Sequence, residues 1–387
     1  MSKTKAMITF FLIFFFVYAS INFYVFLRGW QSLSSIPAVK PYYLVLFILI
    51  SLSYLIAKFF VSALPPFIYD VLMWVGSFWF VFMFYFVLAI LFLDILRLVN
   101  SYTNLFPEFI KSNYDAAKWI TAVVVVALVS IPIFIGHLNT KNIKVNTLDL
   151  SIPKKESSLT DLNVVFLSDL HLSVINDESF LQEVVNNVNA LKPDIVLFGG
   201  DIVDDKVKIL DRKKIGESFR KIKSKYGVFT CTGNHEYINE VQSSVKWIKR
   251  FGIKVIQDEA IKIADIFYLV GREDRSINQF TDRRRKTLND ILSRTEKRLP
   301  MILLDHQPLN LEEAQQNGIN LQLSGHAHHG QIFPANLITN LVYELSCGYL
   351  KKANTHYYVT SGVGTWGPPV RIGSATEIVN IKIKFSN

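Results

Sequence analysis

Leu197-Phe198-Gly199-Gly200-Asp201-Ile202-Val203-Asp204-Asp205 decides the reading of this chain. The apolar run from Asp194 to Phe198 ends in two glycines and then a cluster of carboxylates. Short β-branched and aromatic runs bounded by turn residues read as buried strands. Glycine lets the backbone turn sharply at such a strand tip. Asp201 is therefore expected at the mouth of a sheet. On its own the stretch reads equally well as a strand followed by a solvated acidic turn.

The other strand tips break that tie. Val164–Leu167 runs into Ser168-Asp169-Leu170-His171, and Val228–Thr232 runs into Gly233-Asn234-His235-Glu236. Met301–Leu304 precedes Asp305-His306, and Asn320–Leu323 precedes Ser324-Gly325-His326-Ala327-His328. Five apolar runs thus end in carboxylate, amide or imidazole, spaced D-x-H, G-D-x-x-D, G-N-H-E and G-H-x-H. With these motifs in this order the chain resembles the calcineurin-like metallophosphoesterases from about Asn163 to Phe385. The resemblance implies an α/β fold, a two-sheet sandwich flanked by helices, with two divalent metal ions at the strand tips. Carried over by position, Asp169, His171 and His328 hold one ion, Asn234, His306 and His326 hold the other, and Asp201 bridges them. The same resemblance implies that His235 is the catalytic side chain, lying beside the substrate rather than on a metal. The membrane-associated branch usually reads G-H-x-H-G-G-Q, and in this chain His329 stands where the first of those glycines would be.

The donor types agree with that chemistry. An anionic phosphoester repels anionic nucleophiles, and a pair of divalent ions neutralises it, fixes its geometry and acidifies water. A mixed His, Asp and Asn set suits manganese, iron or zinc, and also nickel or cobalt, better than calcium. Thiolate is missing from the set, which disfavours a structural zinc site. An imidazole such as His235, titrating near neutrality, suits proton donation to a leaving oxygen. Asp204 and Glu236 are expected to orient these groups from behind, and Asp305 is ambiguous.

Half of the 387 residues are hydrophobic and the net charge is +9. The apolar excess lies in four runs: Met7–Leu27, Tyr42–Ala57, Ile68–Leu93 and Trp119–Ile135. Crossing a hydrocarbon core takes about 20 residues of helix, and helices apolar all round are membrane spans more often than core. Basic and aromatic residues mark the edges at Arg28-Gly29-Trp30, Tyr42-Tyr43, Tyr69 and Lys118-Trp119, as headgroup contact requires. Asp94 and Arg97, one helical turn apart, read as a local interfacial pair. Four spans place both chain ends on one side. Lys3, Lys5, Lys58, Lys141, Lys144, Lys154 and Lys155 lie on that side, against Arg28, Lys40, Arg97, Lys111 and Lys118 on the other. Seven against five leans towards cytoplasmic termini, so the catalytic domain is expected in the cytoplasm.

The expected organisation is a four-span domain over 1–138, a polar connector over 139–160 and a metallophosphoesterase domain over 161–387. The connector reads either as an opening strand or as a surface tether. Beyond it, strands alternate with apolar helical stripes, among them Ile215, Phe219 and Ile222. Val379, Ile381, Ile383 and Phe385 alternate with polar residues, as a strand of the second sheet would. Arg272–Arg275 and Asp282–Lys286 read as a solvated helix start or as a patch for phosphate. The glycine-rich Ser361–Pro369 reads as a loop over the site or as a plain corner. Cys231 and Cys347 have no metal spacing, and a single bridge between them stays open. No nucleic-acid motif is present.

The function expected is a membrane-anchored hydrolase of phosphomonoesters, phosphodiesters or pyrophosphates, with a lipid-linked substrate suggested by the anchor. A nucleotide phosphodiesterase merely localised by its spans and a non-catalytic membrane sensor or scaffold are the alternatives. Sequence alone names neither the physiological substrate nor the oligomeric state.

Overall fold

A computed structural model describes residues 3–386; Met1, Ser2 and Asn387, at the ends of the expected domains, lie outside the described residues. The chain divides into two compact units, Met1–Gly136 and His137–Asn387.

The first unit is helical: α1 (Lys3–Ser32), α2 (Lys40–Phe59), α3 (Pro66–Thr103), a short α4 (Glu108–Ser112) and α5 (Tyr114–Thr140), which runs into the second unit. Four of these helices are long and apolar enough to cross a membrane. Most of their apolar side chains face outward, as in lipid-exposed helices, while Tyr18, Val25, Trp79 and Met83 form a small interior cluster. Trp79 donates to Asn22 Oδ1 at 2.9 Å, so this polar pair in α1 and α3 is satisfied internally. The expected local pair at Asp94 is incomplete. Its carboxylate accepts from Arg97 at 3.1 Å, but also from Arg28 and Tyr24 of α1, each at 2.7 Å. Local spacing cannot reveal partners some 66 to 70 residues away.

The second unit is a sandwich of two six-stranded mixed sheets. Its strands are β1 (Lys144–Pro153), β2 (Asp161–Leu167), β3 (Ile195–Phe198), β4 (Val228–Thr230), β5 (Lys254–Val255), β6 (Glu259–Ile263), β7 (Phe267–Gly271), β8 (Met301–Leu304), β9 (Leu321–Ser324), β10 (Gly348–Lys352), β11 (Thr355–Val359) and β12 (Glu377–Ser386). One sheet has the order β1-β12-β2-β3-β4-β5 and the other β10-β11-β9-β8-β7-β6. Their helices are α6 (Glu178–Ala190), α7 (Val207–Arg212), α8 (Asn234–Ile238), α9 (Val241–Lys249), α10 (Ile277–Phe280), α11 (Leu288–Leu292), α12 (Leu311–Gln316) and α13 (Ala335–Val342).

Strand alternation builds the layers. Side chains on a strand point to opposite faces in turn. Val164, Phe166, Ile195 and Leu197 face the inter-sheet core with Leu269, Ile302, Leu304, Leu321 and Leu323. The residues between them, Val165, Leu167, Val196 and Phe198, pack under α6 and α9. Tyr268, Val270, Met301 and Leu303 do the same under α11 and α12. Both faces of the inner strands are buried, which explains their unbroken apolar runs.

Three readings change. β12 belongs to the first sheet, antiparallel to β2 with Val379 opposite Phe166 and parallel to β1. Its alternation reported one buried face, which does not say which sheet owns it. Residues 144–153, for which strand and tether were both open, form β1. The stripe at Ile215, Phe219 and Ile222 holds only a 3₁₀ turn, Glu217–Lys221, entered through Gly216 at φ 108°. Cys231 and Cys347 are both free.

Candidate metal centre

All five motifs sit at the ends of parallel strands: β2, β3 and β4 in one sheet, β8 and β9 in the other. The strand tips gather the seven expected ligands into two adjoining groups. In the first, His171 Nε2 lies 3.0 Å from His328 Nε2, and Asp169 Oδ1 lies 3.5 Å from His328 Nε2 and 4.0 Å from His171 Nε2. In the second, Asn234 Oδ1 lies 2.9 Å from His326 Nδ1 and 3.2 Å from His306 Nε2. Asp201 Oδ2 reaches both groups, 3.2 Å from His306 Nε2 and 3.8 Å from His171 Nε2.

The backbone is strained to achieve this. Asp169, His171, Asp201, His326 and His328 all have φ between 46° and 69°, a region that β-substituted residues enter at a cost. Such strain persists only where the surroundings over-determine it. Glu236 is one such constraint. Its buried carboxylate accepts from the backbone N–H groups of Asp201 (3.0 Å), Ile202 (2.7 Å), Val203 (3.2 Å) and Gly233 (2.7 Å). One side chain thus ties the β3 tip to the β4 tip. Gly200 turns the chain at φ 94°, and a Cβ on Gly233 would meet Asp201 Oδ1 at 2.1 Å. His329 has φ 48°, so it takes the left-handed conformation that glycine would take there, and its Nδ1 lies 2.9 Å from Ser346 Oγ.

The donor atoms fit cations. His306 Nδ1 lies 2.8 Å from the Gly199 carbonyl, which can only accept, so Nδ1 carries the hydrogen. The Nε2 lone pair then faces Asp201 Oδ2 and Asn234 Oδ1: three acceptors converge on one point. A proton or a cation has to lie there. With the proton as the only choice, the Asp201 carboxylate outweighs the cost of burial and holds His306 well above the usual imidazole range. In the first group two imidazole nitrogens and a carboxylate oxygen converge in the same way. Burial, with the neighbouring His171 and Arg371, holds His328 well below its ordinary value, and burial with His306 lowers His326. Neutral imidazoles are the form that binds metal. Asp201 stays ionised despite its burial because His306, His235 and His171 surround it.

His235 stands beside the first group without joining its convergence. Its Nδ1 lies 2.6 Å from Asp204 Oδ1, and Asp204 also lies 3.5 Å from His171 Nδ1. Burial opposes a charge on His235, but Asp201 and Asp204 prevail and raise it to about 9. Asp305 is engaged elsewhere, by Arg285 and, at 3.6 Å, by Arg272. Arg272 also pairs with Glu313 at 2.7 Å. Arg272 and Arg285 of the basic stretch that read as a solvated or phosphate-facing patch are therefore turned inward onto the buried Asp305, whereas Arg283, Arg284 and Lys286 stay exposed.

The glycine-rich loop packs against the first motif rather than standing clear of it. Val363 N–H donates to the Ser168 carbonyl at 3.0 Å and Gly364 N–H to the Asp169 carbonyl at 2.9 Å. Two residues at the site gave no signal in the motifs. Trp366 places its ring 6.2 Å from that of His235, and Tyr343 lies 6.3 Å from His326.

Residues 162–330 match the calcineurin-like phosphoesterase family. An uncharacterized metallophosphoesterase of Aquifex aeolicus is 30% identical over 251 residues, 64% of this chain and 95% of that protein. The chain belongs to the calcineurin-like phosphoesterase family. Its relatives in that family include a Danio rerio protein named "Transmembrane protein with metallophosphoesterase domain", 33% identical over 252 residues, 62% of this chain and 57% of the relative. UDP-2,3-diacylglucosamine pyrophosphatase LpxG of Chlamydia muridarum is 25% identical over 306 residues, 64% of this chain and 91% of that protein. Several curated relatives are matched over only 57% to 61% of their own length.

Proposed function

We propose that the chain is a membrane-anchored, dinuclear metal-dependent hydrolase of phosphomonoester, phosphodiester or pyrophosphate bonds. The observation that carries this is the pair of acceptor clusters sharing Asp201, with the Asp204–His235 pair alongside. Asp169, His171 and His328 would hold one ion, Asn234, His306 and His326 the other, with Asp201 between them. When bound, two divalent cations offset the charge of the phosphoryl oxygens and acidify water; manganese, iron and zinc suit this donor set. The residues do the rest. Asp204, with Oδ1 against Nδ1 of His235, favours a proton on that nitrogen, which leaves Nε2 as the atom that would move a proton to the departing oxygen. Glu236 keeps Asp201 pointed between the two groups.

In this reading residues 1–138 form a four-span anchor, 139–160 link it to the catalytic unit and supply β1, and 161–387 form that unit. The excess of lysine on the side of the termini favours a cytoplasmic catalytic unit. A lipid-linked phosphate or pyrophosphate is the substrate class favoured by the anchor, and the likeness to a diacylglucosamine pyrophosphatase supports it. The test is purification of the full chain, metal analysis, and turnover with manganese on phospholipids, glycolipid pyrophosphates and cyclic nucleotides. Absence of both metal and turnover, with Asp201→Ala indistinguishable from the parent, would refute the proposal.

A further inference from the structure

The helix α13 is inside out. A helix on a soluble domain normally turns its branched apolar side chains to the core. In α13, Leu337, Ile338, Leu341 and Val342 are 55%, 63%, 88% and 60% exposed, while Asn336 and Thr339 are half-buried. Phe333, just before the helix, is 49% exposed, and Trp366 of the glycine-rich loop is 58% exposed. Scattered apolar residues on a surface mean little; a helix face made of them marks a contact.

This face adjoins the metal centre. Tyr343, which follows α13, stands against His326, and Trp366 stands against His235. The segments that carry it are pinned together. Gln331 Nε2 donates to the Trp366 and Pro368 carbonyls, both at 3.0 Å, and Phe333 N–H donates to the Ile372 carbonyl at 2.7 Å. The second unit also begins at this edge. His137 Nδ1 lies 2.8 Å from the Pro369 carbonyl, and Asn139 Nδ2 donates to the Arg371 carbonyl at 3.3 Å. His137 and Asn139 end α5, one of the four helices apolar enough to cross a membrane.

We infer that the apolar face of α13, with Phe333 and Trp366, inserts into the outer hydrocarbon of a lipid bilayer and sets the metal centre at the level of lipid headgroup phosphates. A short helix with branched apolar residues on one side and an aromatic residue at each flank has the make-up of an interfacial element. The chain enters the second unit from α5 at this same edge, which favours the bilayer as the occupant of the face. The metal groups then open beside the region where phosphate linkages of membrane lipids lie. The inference rests on the membrane phosphoesterase reading for its purpose, but its test does not need turnover.

Full-length Leu341→Cys, in a Cys347→Ser background, is labelled with the fluorophore NBD and reconstituted in phosphatidylcholine–phosphatidylglycerol nanodiscs; Cys231 is buried. The label is expected to be quenched by doxyl groups on the lipid chains and protected from aqueous iodide. A label at the exposed Glu217→Cys should behave oppositely. Quenching at 341 by iodide alone would overturn the inference. Protection from both quenchers would overturn it in favour of a protein partner or a second copy of the chain. In a second arm, Leu337→Asp with Leu341→Asp is expected to lower the ratio of bilayer-lipid turnover to soluble aryl phosphodiester turnover by about tenfold. An unchanged ratio would count against insertion. Should the parent chain hydrolyse neither substrate, the quenching arm alone decides the inference, whichever way the proposed function is settled by its own test.

Discussion

Replacing Glu236 by glutamine tests how the strained metal loop is held. In the native chain one carboxylate oxygen takes the N–H groups of Ile202 and Val203, and the other takes those of Asp201 and Gly233. An amide offers only one oxygen, so its NH₂ must face two of these four donors. Leaving two buried donors unsatisfied at about 1–3 kcal/mol each gives a loss of roughly 2–6 kcal/mol. At about 2–4 °C per kcal/mol for a unit of this size, melting of the second unit should fall by roughly 4–24 °C. Asp201 should then relax from its left-handed conformation, and metal content should fall with it. The assay is a thermal melt of the full chain in detergent, followed through its tryptophans, paired with elemental analysis. Burial and the charge of Asp201 push the Glu236 carboxyl upward. A variant with parental melting and parental metal content would mean that Glu236 already carries a proton, and the account of loop anchoring would fail.

Asp201→Ala and His235→Ala should fail differently. The first should lose metal from at least one group along with all turnover, whereas the second should keep its metals and lose roughly 10²–10⁴ in rate; a metal-free His235 variant would contradict this division of roles. Asp204→Asn should lower kcat by about 10-fold to 100-fold with a smaller change in metal content, because Asp204 touches the rings of His235 and His171. Washing membranes with alkaline carbonate should leave the full chain in the pellet, and its recovery in the soluble fraction would refute the anchor.

The sequence made the sandwich and its flanking helices legible because ligands and apolar runs are coupled. Each motif-bearing strand is buried on both faces over its last residues, so its tip is the first polar point, and a functional residue there stands out. The seven expected ligands come together for that reason. What stayed hidden depends on long-range partners. Asp305 could not be assigned without Arg285 and Arg272, and Asp94 looked local without Arg28 and Tyr24. The left-handed backbone at Asp169, His171, Asp201, His326 and His328 also escaped, since nothing in a one-letter pattern marks φ outside glycine. α13 escaped for another reason. Its spacing reads as an ordinary amphipathic helix, and only the structure tells which face the core declines.

The order of strands in the first sheet sets a timetable. β12 lies between β1 and β2, yet it follows every other strand in the chain. As the protein is made, β2 can pair with β3, but the gap between β1 and β2 stays open until residues 377–386 leave the ribosome. Asp169 and His171 follow directly from β2, so half of the candidate metal centre waits on β12 to steady it. A product broken off before Glu377 is therefore an unfinished sheet and not a slightly loosened one. The apolar helices precede the whole unit, so if they are the proposed anchor, synthesis can deliver the chain to a membrane before the proposed site is assembled.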